Sequence, residues 1–313
     1  MECISTRRGF GEALVELGEK YDNIVVLGAD ITDSTRTSYF KKRFPDRFFS
    51  MGISEQDAAG EAAGLSIAGL IPFFCTYGVF ASGRAWEQIR TTIAYSNLNV
   101  KIGGAHAGIM TGPDGATHQA LEEIALMRVL PRMTLLVPCD YNETKKATVA
   151  SVEDVVGPVY IRFGRPPVPV ITDRNSPFKI GKANVMRKGR DISIIACGAM
   201  VYYSLLAAEL LNKDGISAEV INLHTIKPID RNAIVSTAKK TGCILTVEEH
   251  QVHGGMGSAV AEVIVKEFPV PMDIMGIDDR FGESGEPNEL IEYFHLSEQD
   301  IARRAKRLLK RKR

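Results

Sequence analysis

The chain has 313 residues, 45% of them hydrophobic and 24% charged, an ordinary make-up for a soluble globular protein with room for two domains. Its 38 basic and 38 acidic residues cancel, so composition makes no electrostatic case for nucleic acid, and no run approaches the roughly 18 apolar residues of a membrane span. Five scattered cysteines without a Cys-x-x-Cys (Cys3, Cys75, Cys139, Cys197, Cys243) argue against a disulfide framework or a zinc ribbon. With an opening stretch, MECISTRRGFGEAL, that lacks the apolar core of a signal peptide, they point to a reducing, cytoplasmic setting.

Helical and strand patterns then alternate along the chain. RRGFGEALVELGEKY has helical periodicity, and NIVVLGAD reads as a buried strand ending in a turn. SEQDAAGEAAGLSIAG is a small-residue helix before the strand LIPFFCTY, and SGRAWEQIRTTIAYS a helix before the strand NVKIGGA. ALEEIALMRVL, MTLLVPCD, NETKKATVASV and PVYIRFGR continue as helix, strand, helix and strand. Such alternation predicts an α/β domain with a mostly parallel sheet over residues 1–170. Four prolines in GRPPVPVITDRNSPFKIGK mark a linker near residues 164–182. From DISIIACG to PMDIMGI a second α/β series follows, giving a second, smaller domain over residues 180–313. The tail IARRAKRLLKRKR is read as a solvated basic helix, with contact to RNA or lipid as the alternative.

Parallel sheets place ligands at the carboxyl ends of their strands. Those ends carry GADITDS, TYGVF, GGAHAG and RFGR, so Asp30, Ser34, His106 and Arg165 are expected to converge on one rim. Taken singly, Asp30 and Ser34 could instead cap a helix, and Glu55 at the start of its helix could simply complement the helix dipole. In the second half, HGGMGSAVAEV has Gly255-x-Gly257, but Val260 stands where a dinucleotide fingerprint needs glycine, so it reads as a helix entry. EEHQVHGG offers Glu248, Glu249, His250 and His253, whose spacing suits a metal less well than a loop hydrogen-bond network.

GISEQ, TYGVF, GGAHAGIMTGPDGATHQ and GPVYIRFGRP, in that order, resemble the pyrimidine-binding domain of transketolases. INLHTIKPID and VEEHQVHGGMGSAV resemble the C-terminal domain that transketolases share with deoxyxylulose-phosphate synthases and the beta subunits of 2-oxoacid dehydrogenases. The resemblance spans essentially the whole chain. It implies a thiamine-diphosphate enzyme of sugar-phosphate metabolism, the pentose phosphate pathway included, that transfers a two-carbon ketol unit. Glu55 matches the glutamate that hydrogen-bonds the coenzyme's aminopyrimidine and activates its thiazolium carbon. That role calls for a buried carboxyl in apolar surroundings, with Ala58, Ala59, Ala62 and Ala63 letting its helix pack closely.

The resemblance further implies that Tyr77 and Phe80 flank the aminopyrimidine, with Gly83 where the family has its next aromatic. Asp30 matches an aspartate near the coenzyme at a subunit interface. Arg7, Ser34, His106 and Arg165 match the residues that hold the substrate's phosphate. Asp114 matches the group that reads a sugar hydroxyl, and His118 the one that hydrogen-bonds the two-carbon unit.

Transketolases hold the coenzyme's diphosphate and its metal through a Gly-Asp-Gly segment in an N-terminal domain, and no such segment occurs here. The expectation is therefore a C-terminal subunit of a split enzyme. A separate N-terminal subunit would hold the Mg2+ or Ca2+, this chain would pair with itself in an α2β2 assembly, and the isolated chain would be inactive. Three alternatives stand beside it: a deoxyxylulose-phosphate synthase, disfavoured by His106 where that family has arginine; a 2-oxoacid dehydrogenase beta subunit; and a non-catalytic regulatory subunit.

Overall fold

Unbroken apolar runs suit strands covered on both faces. In the computed structural model, which describes residues 1–312, Ile24–Gly28, Ile71–Tyr77, Lys101–Ala105 and Val159–Arg162 are such strands and are buried almost throughout. With Phe48–Ser50 and Thr134–Leu136 they form the parallel part of a seven-stranded sheet. Its order is Thr225–Lys227, Thr134–Leu136, Val159–Arg162, Lys101–Ala105, Ile71–Tyr77, Ile24–Gly28, Phe48–Ser50. The second sheet has five strands in the order Met272–Ile277, Ile244–Gln251, Ile192–Ala196, Ala218–Asn222, Asn184–Arg187, all parallel but the last. Both halves are thus α/β units with mostly parallel sheets.

The helix Glu55–Ile67 turns Ala58, Ala59, Ala62 and Ala63 inward at 1% exposure or less. Methyl groups at this helical spacing let its backbone lie close to the sheet. Residues 82–96, expected as one helix, form a short α-helical piece, Trp86–Gln88, between wider π turns at Phe80–Arg84 and Ile89–Ala94. Gly83 and the hydroxyl of Ser82, which donates back to Gly78 O at 2.8 Å, both weaken regular α geometry there.

The proline-rich stretch is tied down rather than free. Pro167–Pro169 pairs antiparallel with Cys3–Ser5, and Ile171 and Thr172 donate their N–H groups to Asp140. The halves also share more than a linker. Thr225–Lys227 adds an antiparallel edge to the first sheet, and one apolar cluster runs from Val25, Phe74 and Ile102 to Ile195, Leu223 and Val260.

The basic terminal helix, Glu298–Leu309, buries Ile301, Ala302, Ala305 and Leu308. That apolar stripe packs on the helix Met200–Lys213, so it is not offered to lipid. On its outer side Arg304 pairs with Asp273 at 2.8 Å and Lys306 with Asp214 at 2.6 Å. The last residue of the predicted basic tail lies outside the described residues. Among those residues no helix is long and apolar enough to cross a membrane.

Candidate active site

Strand Lys101–Ala105 delivers His106 in the left-handed backbone region, with φ 56°. His106 is 1% exposed and its ring packs at a 35° tilt on Tyr77, at the end of the neighbouring strand, with ring centroids 4.1 Å apart. Burial first, then the positive charges of Arg7 and Arg165, and then His118 push its pKa down to about 3, so the ring is neutral in the physiological range. Its Nδ1 is buried and has no partner in the structure. Arg7 projects from the first turn of the helix Thr6–Lys20 and donates to Ser34 O at 3.1 Å. Arg165, just past the strand Val159–Arg162, donates to Thr111 O at 2.8 Å and lies 3.6 Å from the carboxylate of exposed Asp114.

His118 closes the other side. Its ring meets the edges of Tyr77 and Phe80 at 5.8 and 5.6 Å, and Nδ1 is 2.9 Å from the Thr117 hydroxyl. Glu55 is 2% exposed at the head of its helix, the placement expected for it. Its immediate surroundings are not apolar, contrary to expectation. Thr76 Oγ1 donates to its carboxylate at 3.3 Å and Arg84 Nη1 at 2.7 Å, while the Arg84 guanidinium also lies 4.3 Å over the Phe80 ring. Arg84 thus stands beside the gap at Gly83, where an added Cβ would meet nothing within 4 Å. One rim therefore gathers Arg7, Ser34, Tyr77, Phe80, His106, Asp114, His118 and Arg165, with Glu55 joined to it through Arg84. Asp30 is exposed, in the left-handed region at φ 58°, and among the described residues its side chain makes no hydrogen bond or ion pair.

Against this geometry two family models match the chain, the transketolase pyrimidine-binding domain over residues 2–170 and the transketolase C-terminal domain over residues 181–301. The chain belongs to the transketolase family. It is 46% identical, over 95% of its length and 94% of the relative's, to a Methanocaldococcus jannaschii chain named as a transketolase C-terminal section. It is 40% identical to the 6-deoxy-6-sulfo-D-fructose transketolase subunit of a Clostridium species, covering 98% of this chain and 95% of that one. It also aligns at 37% identity with human transketolase, but 98% of this chain spans only 49% of the human protein. A solved split-gene transketolase, described as an inactive beta4 tetramer, superposes with a TM-score of 0.93 at 48% identity, covering 99% of this chain and all of that one.

Other transketolase-like features of the sequence resolve as structure. Glu248, Glu249 and His250 lie on the strand Ile244–Gln251, not in a loop, and alternate between its faces. Glu248 accepts from the N–H groups of Met256 and Gly257, both at 2.7 Å, at the start of the helix Met256–Glu267. The chain's own carboxylate thus fills the anion position a nucleotide phosphate would need. His250 Nε2 accepts from Ala125 N at 3.3 Å, His253 is exposed, and no three metal-ligating side chains converge among the described residues.

The sequence did not single out Arg162 and Glu123, which form a fully buried ion pair beneath the site. Burial raises the Glu123 pKa to about 7 despite Arg162. Gly78, between Tyr77 and Phe80, makes room for that carboxylate: an added Cβ would lie 2.1 Å from Glu123 Oε2. Arg84 was missed as well, since a lone arginine beside a motif has no signature.

Proposed function

We propose that the chain is the C-terminal subunit of a thiamine-diphosphate-dependent transketolase, moving a two-carbon ketol unit from a ketose phosphate to an aldose phosphate. The observation that carries this reading is the juxtaposition of a buried glutamate, two aromatic rings and a neutral histidine with a free ring nitrogen, beside a pair of arginines. The residues fit the coenzyme's pyrimidine end. Glu55 offers a buried carboxyl, Tyr77 and Phe80 offer flat apolar faces, and the open flank at Gly83 leaves space. Arg84, its side chain 45% exposed, must release Glu55 for a ring nitrogen to take its place. When bound, the coenzyme supplies the nucleophilic carbon and the electron sink of ketol transfer.

This chain's residues do the rest. Glu55 holds the proton shared with the pyrimidine nitrogen. His118 donates to the oxygen of the two-carbon unit. Neutral His106 presents a hydrogen bond without adding charge beside Arg7 and Arg165, which orient the substrate's anionic end. Asp114, held near Arg165, meets a sugar hydroxyl and reads its configuration. Asp30, exposed and unengaged here, is assigned to the contact with a partner chain.

That partner is a separate N-terminal, diphosphate-binding subunit, which also holds the Mg2+ or Ca2+, in an α2β2 assembly paired through this chain. Three things support the split reading: relatives of this length are named as sections or subunits, human transketolase is twice as long, and the similar solved assembly is described as inactive. The test is an assay with xylulose 5-phosphate and ribose 5-phosphate, thiamine diphosphate and magnesium, with pyruvate plus lipoamide as the competing substrate pair. Turnover is expected only after co-expression with the partner, and Glu55→Gln should lower kcat by about a hundredfold or more. Full turnover by E55Q, or by this chain alone, overturns the reading.

A further inference from the structure

The rim assigned above to the substrate's anionic end carries more positive charge than Arg7 and Arg165. Arg36 follows the short helix Thr32–Thr35 in the left-handed region, with φ 63° and ψ 14°. The turn that presents it is fixed by side-chain bonds: Thr35 Oγ1 donates to Ile31 O at 3.1 Å, and Thr37 Oγ1 to Thr32 O at 3.3 Å. It rests on the helix that carries Arg7. Arg7 donates to Ser34 O at 3.1 Å, and a Cβ added at Gly11 would lie 2.8 Å from the Cβ of Arg36. Arg7 and Gly11 are one turn apart on the same helix face, so the half-buried Arg36 side chain starts about one helical turn from the base of Arg7.

Among the described residues the one carboxylate in ion-pair range of these three arginines is Asp114, 3.6 Å from Arg165. Arg7 Nε and His106 Nδ1 are buried without partners. After burial, Arg36 and then Arg165 are what most depress the Arg7 pKa, which places all three charges in one field. Like charges with unfilled donors are unfavourable together until an anion sits among them.

We propose that Arg36 is a third guanidinium of the substrate's anionic end and makes this rim select a dianionic phosphate over a monoanionic sulfonate. The inference rests on the reading above that this rim holds the terminal anion. Both groups offer three oxygens on a tetrahedral centre, so shape separates them poorly, whereas each added positive charge acts twice as strongly on the dianion.

The test is calorimetric titration of the full chain with inorganic phosphate and with methanesulfonate, at about pH 8 where phosphate is mostly dianionic. Wild type should bind phosphate at least about tenfold more tightly. Arg36→Met and Arg36→Gln should weaken phosphate about tenfold and methanesulfonate about threefold, narrowing the preference, as loss of one charge-assisted contact predicts. Arg36→Lys keeps the charge and should restore it; if it loses the preference as the neutral variants do, charge is not the selecting quantity and the proposal falls. Neutral variants that match wild type while Arg7→Met loses phosphate remove Arg36 from the rim but leave the proposed function standing. A wild type that binds no phosphate, or an R7M chain that binds it as wild type does, overturns both.

Discussion

His106 is where the two ends of the candidate site meet, since its ring lies on Tyr77 and its charge state answers to Arg7 and Arg165. A non-glycine residue held at φ 56° is uncommon, and such backbone positions concentrate where a side chain has to be aimed. Its neutrality has a measurable effect. Burial holds His106 at about 3 and His250 at about 4 in the folded chain, whereas both titrate near ~6.5 when unfolded. Below ~6.5 the unfolded chain therefore takes up protons that the folded chain refuses, and their contribution to stability is lost as pH falls to about 4 for His250 and about 3 for His106. Glu123, Glu248 and Glu249, raised to about 7 by burial, act in the opposite direction as pH rises. The variant difference is thus the clean measure: His106→Gln should flatten the slope of unfolding free energy against pH between about 4 and about 6.5, read from urea melts. An unchanged slope would mean that His106 is protonated in the fold. At this scale the sequence was legible wherever residues came in a long spaced motif, as from His106 to Gln119. It was silent on Arg36, a lone arginine in a short turn, and on Arg84 and Arg162, whose carboxylate partners lie far away along the chain.

Asp140 shows how one cap joins elements that are distant in sequence. Oδ1 accepts from Glu143 N at 2.9 Å, starting the helix Tyr141–Glu153, and from Thr172 Oγ1 at 2.8 Å. Oδ2 accepts from the N–H groups of Ile171 and Thr172 at 2.8 and 2.6 Å. All four donors converge on a carboxylate with no solvent exposure, so Asp140→Ala strands them together. The expected loss is about 3 kcal/mol, more than a surface cap and comparable with breaking a buried polar network, measured by chemical denaturation. A loss below about 1 kcal/mol would show that the proline-rich segment holds its course without this anchor. Long periodic helices and buried apolar strands were readable because each repeats its signal over several residues. The strands Phe48–Ser50, Pro167–Pro169 and Thr225–Lys227 have three residues each, too few for a period, and form because partners far away along the chain present unpaired edges.

Over the whole molecule, the shared apolar cluster and the edge strand Thr225–Lys227 predict that the two α/β halves unfold together. The single tryptophan, Trp86, reports on the first half, where its indole N–H donates to Leu126 O at 3.0 Å. Its fluorescence and the far-ultraviolet dichroism of both halves should follow one coincident transition in denaturant. Separate midpoints would mean that the halves are autonomous despite the joint. The edge strand Thr225–Lys227 has a last consequence. It covers the hydrogen-bonding border of Thr134–Leu136, which a bare first half would leave open to any extended chain nearby. On a ribosome that border stays uncovered while the roughly ninety residues between the two strands are made, so the molecule carries its own guard against aggregation but can fit it only after that delay.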